Sequence, residues 1–263
     1  MAIVPAARQT LEILGYLSRQ AGPVPAASLV RDLGLPRSTV YHLLQTLLEH
    51  GFVTHLPEEQ RYALGLAAYE LGTGYGRQAP LARVARVPLA ELADRTRHSA
   101  HLAVLHGREV LYVIEERAPG RPPLVTDVGV RLPASLTASG RAVLAALPPA
   151  QLRALYPEPA SFVLRTGAGP RSMSALRALL VDVRRTGVAT EDGEVTPGLA
   201  SVGAAVVDHS GHPVAGVAVT FPASGTPPAR REAIAERVAR TAAELSRRVG
   251  GPVAAQVART RSS

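Results

Sequence analysis

Leu11, Leu14 and Leu17 recur at helical spacing with polar residues between them, and Gly22-Pro23 closes the pattern, which predicts a first helix over 5–20. Ala26, Leu29, Val30 and Leu33 then fall at i, i+3, i+4 and i+7, the stripe of a short second helix from near Pro25 to Gly34. After the break Gly34-Leu35-Pro36, the positions Val40, Leu43, Leu44, Leu47 and Leu48 share one face of a third helix. It begins at Pro36, a residue suited to a first helical turn, and stops at Gly51. Residues 52–56 and 61–64 flank the turn Pro57-Glu58-Glu59-Gln60 and predict a two-stranded wing.

Past the wing, Leu66, Tyr69 and Leu71 continue as a helix broken at Gly72, Gly74 and Gly76, which suits a linker and sets a boundary near residue 78. An amphipathic helix follows over 81–97. Residues 99–105 and 109–116 alternate around His106-Gly107-Arg108, and 200–207 and 213–220 do so around Asp208-His209-Ser210-Gly211-His212, giving two hairpins. Helices are expected over 139–147, 172–186 and 229–249, the last with Ile234, Val238, Leu245 and Val249 on one face. Strands and helices in this order predict an α+β domain, an antiparallel sheet with helices packed on it.

Two short helices joined by a tight Gly-containing turn form a helix-turn-helix pattern, whose second helix enters a major groove with its N-terminal residues on base edges. Arg37, Ser38, Thr39, Tyr41, His42 and Gln45 point away from the Val40/Leu44/Leu47 stripe and are the candidate contacts to double-stranded DNA. Arg61 is placed on the wing, toward phosphate or the minor groove. A plain helical bundle with Arg37 and His42 as ordinary surface residues is the alternative, and the wing argues against it.

At 263 residues the chain holds about two domains of roughly 150 residues each. Apolar residues at 46% and charged residues at 19% describe a folded protein, and zero Cys excludes disulfides, thiolate catalysis and Cys-based metal sites. All 29 basic residues are Arg, yet the net charge of +8 is uneven: zero over 1–77, +3 over 78–222 and +5 over 223–263. The helix-turn-helix segment is therefore neutral, which a few phosphate contacts per subunit tolerate. Arg247, Arg248, Arg259 and Arg261 read as a solvated end. With no signal-peptide pattern and no 18-residue apolar run, a cytoplasmic protein without a membrane partner is expected.

No Gly-x-Ser-x-Gly elbow, P-loop or Gly-x-Gly-x-x-Gly follows an expected strand, so no catalytic residues are named and no enzyme is expected. His98, His101 and His106 have spacings that do not converge on one face, so neither a metal site nor a cofactor is expected. Asp208, His209 and His212 read as a solvated turn. At 137–140, Thr-Ala-Ser-Gly leads into a helix whose N-terminus offers N–H groups and a favourable dipole to a carboxylate, with small residues that let a ligand approach. On a blander reading, Thr137 or Ser139 merely caps that helix and Glu191 sits in a turn.

Residues 35–47, Leu-Pro-Arg-Ser-Thr-Val-Tyr-His-Leu-Leu-Gln-Thr-Leu, with Gly51-Phe52-Val53 and Tyr62-Ala63-Leu64-Gly65, resemble the winged helix-turn-helix of IclR-type transcriptional regulators. Residues 132–145, 187–194 and 197–201 resemble the two signature runs of that family's effector domain, in the family's order and spacing. The resemblance covers about 5–250 and implies a winged helix-turn-helix domain over 1–65, a linker helix over 66–78 and a GAF-like effector-binding and oligomerisation domain over 79–250; beyond it, residues 251–263 read as a basic flexible tail. It implies a homodimer, often a dimer of dimers, that binds operator DNA in response to a small organic effector, carboxylic or aromatic.

By motif, effector contacts fall on Leu124, Leu132, Ala138, Ser139, Gly140, Glu191, Ser201, Ala218 and Thr220. The chain departs from well-studied members in having Glu191 where they place Asp, Ser201 where they place Cys, Ala218 for a hydroxyl-bearing residue and His42 for Arg. Ala218 leads us to expect one less polar wall and a larger or more apolar effector than a two- or three-carbon keto acid. His42 and the neutral N-terminal segment leave a second reading, a small-molecule sensor that no longer binds DNA specifically.

Overall fold

Helices α1 (Pro5–Leu17), α2 (Ala26–Leu33) and α3 (Arg37–Glu49) bury one apolar cluster in which Ile13, Leu29, Val40 and Leu44 are almost wholly shielded. Gly34, in the left-handed conformation at φ 64°, ends α2 and turns the chain into α3. Strands β2 (Val53–Leu56) and β3 (Arg61–Leu64) form the wing hairpin about the expected turn, with Val53 opposite Leu64 and Leu56 opposite Arg61. The wing is three-stranded, not two-stranded: β1 (Val24–Pro25) pairs with β3 through Val24↔Tyr62 and Pro25↔Arg61. Two residues, one of them Pro, are too few to show a period. Residues 66–71 form α4.

The computed structural model describes residues 4–20, 22–71, 80–120, 124 and 126–251. Linker residues 72–78 and tail residues 252–263, with Arg259 and Arg261, lie outside this set. Contacts divide the chain into two units, 1–79 and 80–263.

The second unit is built on a six-stranded antiparallel sheet of order β6-β5-β4-β9-β8-β7, from β4 (Ser99–His106), β5 (Glu109–Glu116), β6 (Arg131–Pro133), β7 (Ala189–Asp192), β8 (Leu199–Val207) and β9 (Pro213–Pro222). α5 (Pro80–Thr96) and α9 (Pro228–Arg248) cover one face, where Leu89, Ile234, Val238 and Leu245 pack on Leu102, Val206, Val217 and Phe221. The other face carries α6 (Ala138–Ala146) and α8 (Met173–Thr186), whose Leu144 and Leu176 pack with Val110, Leu132 and Leu136. Short α7 (Pro149–Leu155) and a 3-10 turn at Pro159–Ser161 link α6 to α8. β6, β7, α7 and this turn are additions to the sequence-based reading.

With helices on both faces, strand residues of both parities are buried, and β4 is shielded at every position from Ser99 to Ala103. Thr137 caps α6, its hydroxyl accepting from Gly140 N–H at 3.0 Å, and Ser172 caps α8 in the same way through Ala175 N–H at 3.2 Å.

Candidate functional site

On the first unit the exposed face of α3 is the candidate nucleic-acid surface. Arg37, Ser38, Tyr41, His42 and Gln45 are exposed and Thr39 partly so, while Val40, Leu44 and Leu47 turn inward. Pro36 precedes the helix and supplies no capping side chain, and the first turn holds no acid. The N–H groups of the first turn and the positive end of the helix dipole are thus left for an anion such as a phosphate. Arg37 lies over the Tyr41 ring at 5.5 Å from its centroid, which steadies the guanidinium on the helix surface. Arg61 on the wing donates to Pro23 O at 3.0 Å, so one of its five N–H groups ties β3 to the chain before β1 and the rest face outward.

On the second unit the apex is the N-terminus of α6. Gly203 and Gly216 lie beneath it: a Cβ at Gly203 would stand 2.7 Å from Ala138 C, and one at Gly216 would stand 2.4 Å from Ser139 O. Only glycine lets the sheet come this close to the helix backbone. Thr137 takes the Gly140 N–H, and Arg141 N–H bonds Thr137 O at 2.9 Å, which leaves the Ala138 and Ser139 N–H groups outside any intrahelical bond.

Below them runs a cross-strand row. Glu191 faces Ser201 and Ser201 faces Thr220; the Ser201 hydroxyl donates to Glu191 Oε1 at 2.7 Å and shares a 2.9 Å hydrogen bond with Thr220 Oγ1. Burial raises the Glu191 pKa above the ordinary carboxylate value, against the pull of the Ser201 hydroxyl. The next row toward α6 is Gly203, Ala218 and His101. His101 is fully buried; its Nε2 lies 2.8 Å from Thr126 Oγ1 and 3.8 Å from Glu115 Oε1, and its ring meets Tyr112 edge-on. Burial also pushes the Tyr112 phenol up to about 12, so it stays a hydrogen-bond donor at neutral pH.

These groups line one pocket, a narrow one with the side chains as they stand. Of the nine residues expected around an effector, Leu124, Ala138, Ser139, Glu191, Ser201, Ala218 and Thr220 line it. Leu132 and Gly140 do not. Leu132 faces the α6 side of the sheet inside the apolar core, and Gly140 is turned against Ala134, where a Cβ would stand 2.3 Å from Ala134 O. His101, Tyr112, Thr126, Val195, Thr196 and Leu199, missed from the sequence, complete the lining with Thr137, the cap at the start of α6. Their signal was faint, since only the pairing of β4 with β9 and β5 brings His101 and Tyr112 under α6.

The expectation of a less polar wall and a larger, more apolar effector meets a mixed lining, in which Leu124, Ala138, Val195, Leu199 and Ala218 are the apolar members. Nine of the fourteen lining residues are polar, and the Ala218 position has His101 directly across the strand pair. Ser139 Oγ and His101 Nδ1 are buried without a hydrogen-bond partner. The three histidines diverge: His101 lines the pocket, His98 packs on the Phe221 ring and His106 accepts from Arg131 at 2.8 Å. Among the described residues no cluster of three or more His, Asp or Glu is placed to hold a metal. Asp208 Oδ1 accepts from Ser210 N–H and His212 N–H and closes the β8–β9 turn.

The pocket is braced from behind by Arg141 of α6, which is 3% exposed. Its guanidinium donates to Ser135 O at 2.8 Å, to Thr190 O at 2.7 Å and to both Glu194 oxygens at 3.0 and 2.7 Å. Glu194 N–H in turn donates to Glu191 Oε2 at 3.3 Å, so the clamp fixes the turn that carries the pocket carboxylate.

Comparison with known proteins gives the following. The family described as the bacterial transcriptional regulator IclR C-terminal domain matches residues 73–247, and the IclR helix-turn-helix domain matches 6–57. The HTH-type transcriptional regulator XynR of Escherichia coli is 30% identical over 254 residues, 96% of this chain and 100% of its own. The crystal structure of an IclR transcriptional regulator from Alicyclobacillus acidocaldarius superposes with TM-score 0.85 at 24% identity, covering 95% of this chain and 100% of the other. That of an IclR homologue from Microbacterium hydrocarbonoxydans, complexed with 4-hydroxybenzoate, gives TM-score 0.78 at 20% identity over 93% and 98% of the two chains.

Proposed function

The chain belongs to the IclR family of bacterial transcriptional regulators, and we propose that it reads a pseudo-palindromic operator as a homodimer and responds to a small organic acid that carries a hydroxyl group. The observation that carries the effector class is the joint presence, in one pocket, of the α6 N-terminus and the Glu191–Ser201–Thr220 row. A carboxylate suits the unbonded Ala138 and Ser139 N–H groups at the positive end of α6. The ligand hydroxyl suits Glu191, which as an anion repels a second carboxylate and as an acceptor rewards an O–H. An apolar acid would leave Ser139 Oγ and His101 Nδ1 buried and unpaired, which disfavours it.

Arg37, Ser38, Thr39, Tyr41, His42 and Gln45 of α3 are the base and phosphate contacts in this reading, with Arg61 adding a wing contact. Half-sites for two such helices lie about 34 Å apart or at multiples of it, so a modest change in head spacing on effector binding lowers affinity.

The test is binding of the purified full chain to its own upstream intergenic DNA over a salt series, with small hydroxy acids and their deoxy analogues added at one salt. 4-Hydroxybenzoate and benzoate make a first pair. The expected result is a sequence-specific complex with a steep salt slope, altered by hydroxy acids and not by the analogues. Arg37→Ala should weaken it by about 1–3 kcal/mol, roughly 5- to 150-fold. Weak binding indifferent to sequence would favour a sensor without operator binding. Equal responses to hydroxy and deoxy acids would overturn the effector class.

A further inference from the structure

The tip of the β4–β5 hairpin carries a second groove, separate from the effector pocket. Its rim bears His106, Arg108 and Glu109, and Ser135 and Ser161, both buried, form its floor. Arg108 Nη1 donates to Ser161 Oγ at 3.1 Å, which presses the guanidinium against the floor and leaves the Ser161 O–H free to donate in its turn. Arg131 Nη1 donates to His106 Nδ1 at 2.8 Å, and because an arginine only donates, the neutral imidazole carries its proton on Nε2, a further donor at the rim.

Beside Ser135 and Arg108, burial lifts the Tyr156 phenol to about 12, so it keeps its proton. Glu109, 4.0 Å from Arg131, is the acid of the rim, and the set Arg108, Arg131 and Glu109 carries one net positive charge. The groove therefore converges cationic and hydroxyl donors with a single competing acceptor.

We propose that this groove binds a small oxyanion, with Arg108 as the charged fork and Ser161 as its neutral companion. Arg108 matches a planar carboxylate or a phosphate in two-pronged fashion, and the hydroxyl floor satisfies the remaining oxygens. A cation would face Arg108, and an apolar ligand would cover the donors without pairing them.

The site also shares its wall with the effector pocket. Pro133 and Ser135 line the groove, while Thr137, Ala138 and Ser139, on the same stretch of chain, line the pocket. Arg141 holds Ser135 O and the Thr190–Glu194 segment at once, so an anion that fixes Ser135 also fixes the start of α6 and the turn bearing Glu191. Occupation of the groove accordingly shifts effector affinity. This last consequence rests on the effector reading above; the anion site itself does not.

The experiment is calorimetric titration of the full chain, in phosphate-free buffer of constant ionic strength, with inorganic phosphate, glycerol phosphate and acetate in separate arms. One saturable site is expected, weakened tenfold or more by Arg108→Gln, less by Arg108→Lys and several-fold by Ser161→Ala. Preference for free phosphate, for the monoester or for acetate identifies the source, and each of these supports the site. Hydrogen exchange of amides over 131–141 should slow when the anion is added, with or without any effector. Titration no different from chloride overturns the proposal, as does binding that persists in Arg108→Gln but disappears in Thr220→Val, which would put the anion in the effector pocket. An anion site present without any effector response would sink the effector reading alone.

Discussion

Arg141 offers the sharpest test of how the pocket is held together. The side chain is 3% exposed and ends in a two-pronged pair with Glu194, whose side chain is 15% exposed. Arg141→Met keeps most of the aliphatic volume but strands the Glu194 carboxylate and removes the donors to Ser135 O and Thr190 O. Removing one member of a buried, hydrogen-bonded pair costs about 3–5 kcal/mol. For a unit of this size a kilocalorie moves the midpoint by roughly 2–4 °C, so a drop on the order of 6–20 °C is expected.

Glu194→Gln should cost less, because the amide oxygen still accepts while its NH₂ group turns away. Arg141→Met combined with Glu194→Gln should cost less than the two separate losses together, with a coupling above about 1 kcal/mol. Urea unfolding of the four proteins, followed by far-UV circular dichroism and by the fluorescence of the native tyrosines, supplies the cycle. A single-variant loss below about 1 kcal/mol, or additive losses, would refute the clamp.

Two further outcomes follow from the same site. Gly216→Ala drives a methyl to within 2.4 Å of Ser139 O, so α6 must lift; a loss of about 1–3 kcal/mol and weaker effector binding are expected, read by denaturation and calorimetry. Glu191 has its folded pKa raised, so the folded state holds this proton more tightly than the unfolded chain does. Stability from this group is therefore full below the ordinary carboxylate value and declines as pH rises through the raised one. Glu191→Gln should flatten that decline, and a stability–pH curve that keeps its slope in the variant would refute the assignment.

The helix-turn-helix was legible because its signals are local. Gly34 and Gly51 stop helices whose stripes at 26–33 and 40–48 are regular, and α3 lies within a residue or two of where the periodicity puts it. The same holds for the long hairpins of the second unit. β7 was lost because its alternation is inverted: Ala189 and Glu191 are the buried positions, so a carboxylate stands where a strand pattern calls for an apolar group. β6 has three residues, and α7 buries only Leu152, too little for either period to register. By spacing alone, His101 is one of three scattered histidines. Its place in the pocket depends on β4 pairing with β9 and β5 and on α6 lying above, and neither relation is written in the spacing of one segment. Motif resemblance found the α6 start and the β7–β9 row, but it carried Leu132 and Gly140 along with their neighbours.

The seat of α6 on Gly203 and Gly216 divides the pocket into two kinds of surface. One is main chain: the Ala138 and Ser139 amides are held by contacts between helix and sheet backbones and owe their position to no rotamer. The other is a rim of interchangeable tips, among them Ser201, Thr220, Thr126 and Thr196, each of which could become Ala, Val or Cys with little change in volume. Swapping a tip alters which ligand is preferred while leaving the anchoring end in place. Under the proposed reading, a regulator built this way exchanges one signal for another by single steps, each starting from a protein that still folds and keeps its main-chain amides in place.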